Sequence, residues 1–150
     1  MDQRDRRLIE LLQEDSRISN ADLADAVGMS TSACWRRVRA LEEQGAIAGY
    51  GAKVSAAALG LDFHAIVQVH LTRHGRQQLD DFIRAVTLRR EVCACYATAG
   101  PADYYLRVLC RDLAAYNAFL EDFLFRLPAV QSAQTHLILR EIKESAGLLP

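Results

Sequence analysis

The sequence predicts an α+β protein in two parts, on three observations. In the first fifty residues apolar side chains recur at spacings of three and four between polar breaks, as on short amphipathic helices. From Leu61 the period changes to alternation, as on strands. Two helical stretches then interrupt the strands and give the order β-α-β-β-α-β. The 150 residues, 51% of them hydrophobic, can supply a core to each part.

Asp5 to Asp15 is expected to be the first helix. Leu8, Ile9, Leu11 and Leu12 form its apolar stripe, with Arg6, Arg7, Glu10 and Glu14 outside. Ser16-Arg17-Ile18 breaks it. Ser19-Asn20-Ala21-Asp22 has the form of a capping box, with Ser19 at the N-cap and Asp22 reaching back. The short helix that follows turns Leu23, Ala24 and Val27 inward. It ends at Gly28, because glycine accepts a left-handed cap. Ser30 caps a third helix, Thr31 to Gln44, which ends at Gly45. Cys34, Val38 and Leu41 share its buried face, and Ser32, Arg36, Arg39 and Glu43 lie opposite. Trp35 sits at the edge of that exposed face. Two helices joined by a tight glycine turn, the second carrying exposed arginines, make a winged-type helix-turn-helix. Gly45 to Gly51 is glycine-rich and leads through a short extended piece into a linker. The expected boundaries are a head over 1–52, a linker over 53–60, an α/β domain over 61–145 and a tail over 146–150.

In the second part, Phe63, Ala65, Val67, Val69 and Leu71 alternate with His64, Ile66, Gln68, His70 and Thr72 on a first strand. Gln77 to Leu88 carries the helical stripe Leu79, Phe82, Ile83 and Val86. Val92 to Ala99 is a second strand, Gly100-Pro101-Ala102 a turn, and Tyr104 to Cys110 a third strand. Leu113 to Leu127 is a helix stopped by Pro128. Val130 to Ile142 is a fourth strand, clearest over Thr135 to Arg140. The order is that of a ferredoxin-like βαββαβ domain. Two helices cover one sheet face. The other face carries His64, Ile66, Gln68 and His70, then Tyr105, Arg107 and Leu109, then His136, Ile138 and Arg140. Such a mixed surface suits a two-fold subunit interface.

Composition narrows the function classes. No apolar run approaches the roughly 18–20 residues of a membrane span. The charged start Met1-Asp2-Gln3-Arg4-Asp5 has no signal core behind it, so a cytoplasmic protein without a membrane partner is expected. Cys93 and Cys95 lack Cys-x-x-Cys spacing, so all four cysteines are expected to be buried or half-buried thiols, with no metal and no cofactor. His64, His70, His74 and His136 are expected at the surface or an interface. No nucleophile–base pair or phosphate loop points to an enzyme. The net charge of −1 does not by itself favour nucleic acid, and the first fifty residues carry seven arginines against nine acids.

The chain resembles the leucine-responsive/asparagine-responsive (Lrp/AsnC, feast/famine) regulators over nearly its whole length. The resemblance is carried by Asp5-Arg6-Arg7-Leu8-Ile9, by Arg17-Ile18-Ser19-Asn20 with Asp22-Leu23-Ala24, and by Val27-Gly28-Met29-Ser30. It continues in Arg37-Val38-Arg39-Ala40-Leu41-Glu42, Gly45-Ala46-Ile47-Ala48-Gly49-Tyr50, Gly100 with Asp103-Tyr104, and Arg126-Leu127-Pro128-Ala129-Val130. It implies a regulator of amino-acid metabolism genes that dimerises through the C-terminal sheet. Dimers would assemble into octamers and bind an amino acid or related metabolite between dimers, near the turn joining strands two and three. That turn usually reads Gly-Asp-x-Asp in the family. Here it reads Gly100-Pro101-Ala102-Asp103, and proline supplies neither a backbone N–H nor a carboxylate to an effector.

The expected DNA-binding residues are Ser30 and Ser32 at the start of the third helix, with Arg36 and Arg39 for base edges or phosphates on double-stranded DNA. For Arg37, a phosphate contact and an internal ion pair are equally open. Trp35 is expected to pack against a neighbouring element. The expected effector-binding residues are Gly100 and Asp103, with Thr98 and Thr135 as further lining. For Asp103 a purely structural turn role stays open beside an ammonium contact. The competing function is an oligomeric metabolite-binding protein without DNA binding.

Overall fold

The structure, a computed structural model, describes residues 1–72 and 75–143. His74 and the tail 146–150 lie outside the described residues. The chain divides into compact units, one holding Met1–Lys53 and the other Val54–Glu141.

The first unit holds α1 (Gln3–Glu14), α2 (Asn20–Ala26) and α3 (Thr31–Glu43). α1 begins two residues before the expected start. Asp2 caps it by accepting from the Asp5 N–H at 2.9 Å, and Asp5 accepts from the Asp2 N–H at 2.8 Å. Ser19 caps α2 as expected, but Asp22 takes the Ser19 hydroxyl at 2.6 Å instead of its backbone N–H. Gly28, at φ 63°, reverses the chain between α2 and α3, in a region that side chains with a Cβ rarely adopt. Leu8, Leu23, Ala24, Cys34 and Leu41 form the core, with Ile9, Leu12, Ile18, Val38 and Ile47 packed around them. Replacing a fully buried leucine such as Leu8 by alanine removes about 2–5 kcal/mol. No strand forms over residues 45–54.

The second unit holds β1 (Phe63–Leu71), α4 (Arg76–Leu88), β2 (Val92–Ala97), β3 (Tyr104–Cys110), α5 (Leu113–Ala118) and β4 (Val130–Leu137). The sheet order is β2-β3-β1-β4, antiparallel at every pairing. Alternation on β1 buries Ala65, Val67 and Val69 against Phe82 and Val86 of α4 and against Tyr116, Phe119 and Leu124. The helix expected over Leu113–Leu127 is not uniform. After α5 the chain widens into a π turn, Phe119–Phe123, and tightens into a 3₁₀ turn, Leu124–Arg126. The extra residue per turn lets Phe119 and Leu124 both reach the core. β4 ends at Leu137, earlier than expected. Ile138 and Arg140 therefore lie past the strand, and Ile138 donates its N–H to His64 O of β1 at 2.9 Å.

Candidate nucleic-acid interface and ligand cleft

The exposed face of α3 follows from its buried one. Cys34 and Leu41 fix the inward side, so Ser32, Arg36 and Arg39 are exposed. Ser30 caps the helix, its hydroxyl accepting from the Ala33 N–H at 3.4 Å and lying 3.4 Å from the Ser32 hydroxyl. Arg36 is exposed, and its guanidinium has no partner among the described residues. Arg39 donates to Glu43 at 3.0 Å and stacks over the Trp35 ring at 5.3 Å. An exposed pair of that kind contributes only about 0.3–0.5 kcal/mol, so a phosphate can displace Glu43. Trp35 does not pack away. It is 51% exposed, because the positions around it on α3 belong to the polar face.

Of the two readings of Arg37, the structure contains the internal ion pair. Its Nη1 lies 2.7 Å from Asp2 and 2.7 Å from Asp5, tying α3 to the cap of α1. The Asp5 N–H and then the Arg37 guanidinium hold the Asp2 carboxyl below the usual carboxylate range, and the two carboxylates push the Arg37 pKa up. Farther along, Tyr50 donates to Glu42 at 2.8 Å, and burial together with that carboxylate pushes its phenol up to about 12.

In the second unit the turn between β2 and β3 is laced shut. The Thr98 N–H reaches the Asp103 carbonyl at 2.9 Å, and the Thr98 hydroxyl donates to the Ala102 carbonyl at 2.8 Å. Asp103 is tied to β1 twice. Its N–H donates to Val69 O at 3.1 Å, and its Oδ2 accepts from the Leu71 N–H at 2.8 Å. Gly100 takes a positive φ of 156°. Pro101 is exposed and Ala102 is buried, so the proline ring, which has no N–H to donate, stands at the surface of the turn. Thr98 and Asp103 line an open cleft of about 380 Å³ together with Leu71, Thr72, Gln78 and Tyr104. Gln78 carries no mark in the sequence of a place at this cleft. Its Oε1 is buried and has no hydrogen-bond partner among the described residues, leaving an acceptor at the cleft.

Thr135 does not join this cleft. It pairs with Val67, a helix-side residue of β1, so its hydroxyl points under α5 and bonds the Tyr116 hydroxyl. The cysteine expectation also needs correction. Cys34 and Cys110 are buried, but Cys93 and Cys95 are exposed because β2 is an edge strand. On the uncovered sheet face, Arg107 donates to His64 Nε2 at 2.9 Å and approaches Glu141 at 3.7 Å. Partial burial and then the Arg107 charge lower the His64 pKa.

The two units match known families. Residues 1–48 match the winged helix-turn-helix DNA-binding family, and residues 64–148 match the Lrp/AsnC ligand binding domain. The leucine-responsive regulatory protein of Escherichia coli K12 is 36% identical over 149 residues, covering 99% of this chain and 91% of that protein. A Neisseria meningitidis transcriptional regulator, solved as a complex with L-Met, superposes with a TM-score of 0.95 at 32% identity, covering 99% of this chain and 96% of that one. An AsnC family regulator from Agrobacterium tumefaciens gives 0.93 at 33% identity, covering 99% and 96%. With its exposed arginine helix in one unit and a laced turn beside a cleft in the other, the chain belongs to the Lrp/AsnC family of transcriptional regulators, which join a helix-turn-helix DNA-binding domain to a ligand-binding domain.

Proposed function

We propose that α3 lies in the major groove of double-stranded DNA, with Arg36 and Arg39 reaching base edges or phosphates and Ser30 and Ser32 donating to phosphates. The observation that carries this is the unpartnered guanidinium of Arg36 beside the loosely held Arg39 on one exposed helix face. The free N–H groups at the start of α3 add a favourable site for phosphate. One helix reads few base pairs, so a homodimer built on the uncovered sheet face supplies a second, about 34–36 Å or a multiple away. Further assembly of dimers to an octamer is part of the same proposal.

The effector is an amino acid held at the cleft lined by Thr98 and Asp103, with Gly100 in the adjoining turn. The volume suits so small a ligand, and Asp103 Oδ1 has no partner among the described residues with which an ammonium group would compete. The L-Met complex of the Neisseria regulator supports this class of ligand. The protein acts in the cytoplasm as a regulator and not as an enzyme; no helix among the described residues is long and apolar enough to cross a membrane.

A salt titration on the DNA upstream of the protein's own gene tests the DNA reading. Affinity is expected to fall with a log–log slope near −0.9 per neutralised phosphate. No binding at low salt would favour the metabolite-binding protein without DNA contact, a reading kept alive by the acidic balance of the head. A thermal-shift screen against the amino acids tests the effector, since a ligand of the folded state raises Tm. Silence from every amino acid would remove that class.

A further inference from the structure

We propose that Trp35 is a base-reading residue, its indole edge packing on a thymine C5-methyl in the major groove while its ring face steadies Arg39. The proposal rests on the helix-in-groove reading above and adds a specificity element to it. Trp35 is the only tryptophan of the chain and is 51% exposed on α3. At about 100° per residue it sits within roughly 60° of Ser32 and 40° of Arg39 around the helix, on the shoulder of the polar face. It is the one large hydrophobic side chain of α3 that stands exposed.

On α3 the nearest exposed side chains include Ser32, Arg36 and Arg39, and the two arginines can meet a polyanion. The Arg39 guanidinium covers the ring at 5.3 Å. Beside the ring runs an open groove of about 450 Å³, bordered by Ile18, by Asn20 and Leu23 of α2, and by Val38, Glu42 and Glu43 of α3, so the ring has room and apolar neighbours for an incoming methyl group. The thymine methyl is the apolar group of the major groove, and it is what a side chain of this kind can read there. The stacked guanidinium is then held for a base edge or phosphate at small entropic cost, because the ring under it is rigid.

The test compares the upstream DNA fragment with the same fragment carrying deoxyuridine in place of every thymidine, which removes only the methyls. Burying one methyl changes affinity about fourfold, so two half-sites give about fifteenfold. Wild type is expected to bind the thymine fragment more tightly by about that factor, and Trp35→Ala is expected to bind both fragments equally. Quenching of the single tryptophan's emission by the thymine fragment is expected alongside. Equal binding of both fragments by wild type, or the same preference in a folded Trp35→Ala variant, would overturn the proposal. The uracil comparison on wild type needs no variant to fold. Absence of binding to either fragment at low salt would instead sink the helix-in-groove reading and this one with it.

Discussion

The two candidate sites use their polar groups in opposite ways. On α3 the arginines are spent on little: Arg36 has no described partner, and Arg39 holds one exposed carboxylate. In the β2–β3 turn the two polar side chains are spent internally, with Thr98 bonded at both its N–H and its hydroxyl and Asp103 bonded to β1 through its backbone and one carboxylate oxygen. A surface that meets a polyanion can keep its charges solvated until the partner arrives. A pocket for a small ligand has to be held open by the protein itself, and only what is left over can bind.

This contrast makes Arg36→Ala with Arg39→Ala the largest expected effect. A good base contact is worth about 1–3 kcal/mol, so the double variant should lose at least tenfold in affinity for upstream DNA with assembly unchanged by light scattering. Unchanged affinity would take both residues off the DNA face. Arg37→Ala should do the reverse. The folded state raises the arginine pKa and lowers that of Asp2, so the ion pair stabilises the head above the usual carboxylate range and loses that contribution as pH falls through it. The variant should melt at a lower temperature at neutral pH, converge with wild type in acid, and bind DNA normally while folded. A loss of affinity without a loss of Tm would make Arg37 a phosphate contact after all.

Asp103 divides the turn's two tasks. Asp103→Asn keeps an acceptor for the Leu71 N–H but removes the carboxylate charge, so it should fold normally and lose the amino-acid thermal shift. Asp103→Ala should also destabilise by about 1 kcal/mol, read by chemical denaturation. A normal ligand shift in the asparagine variant would leave Asp103 a structural residue only. The smallest effect is at His64. Its folded pKa is lowered, so its contribution is complete above the ordinary histidine value near 6.5. It is lost as pH falls below that value, because the unfolded chain takes up the proton first. His64→Gln should flatten that part of the Tm–pH profile, and an unchanged profile would discard the assignment.

Most of the fold was legible in the sequence because it depends on periods. The stripe of α3 and the alternation of β1 state their own faces, and those faces place Arg36, Arg39 and the covered side of the sheet. What escaped depends on partners far along the chain. The start of α1 and the role of Arg37 both turn on Asp2, thirty-five residues from the arginine and part of an Asp–Asp cap that differs from the usual Ser/Thr–Glu pattern. The parity of Thr135 put it on the helix side, but the sheet order put it at the edge away from the β2–β3 turn, and no local signal encodes that order. Gln78 escaped because a polar residue in the first turn of a helix looks solvated until a neighbouring turn covers it.

The wide turn at Phe119–Phe123 also marks where this chain tolerates a change of length. Phe119 and Leu124 are five residues apart and both are buried, whereas a regular helix would bring them to one side at a spacing of four. Deleting either of the exposed residues Glu121 or Asp122 would restore that spacing with the same apolar side chains inside. A one-residue gap in an alignment of this region is therefore no sign of a different core, and a deletion there is a milder edit than a substitution at either buried neighbour.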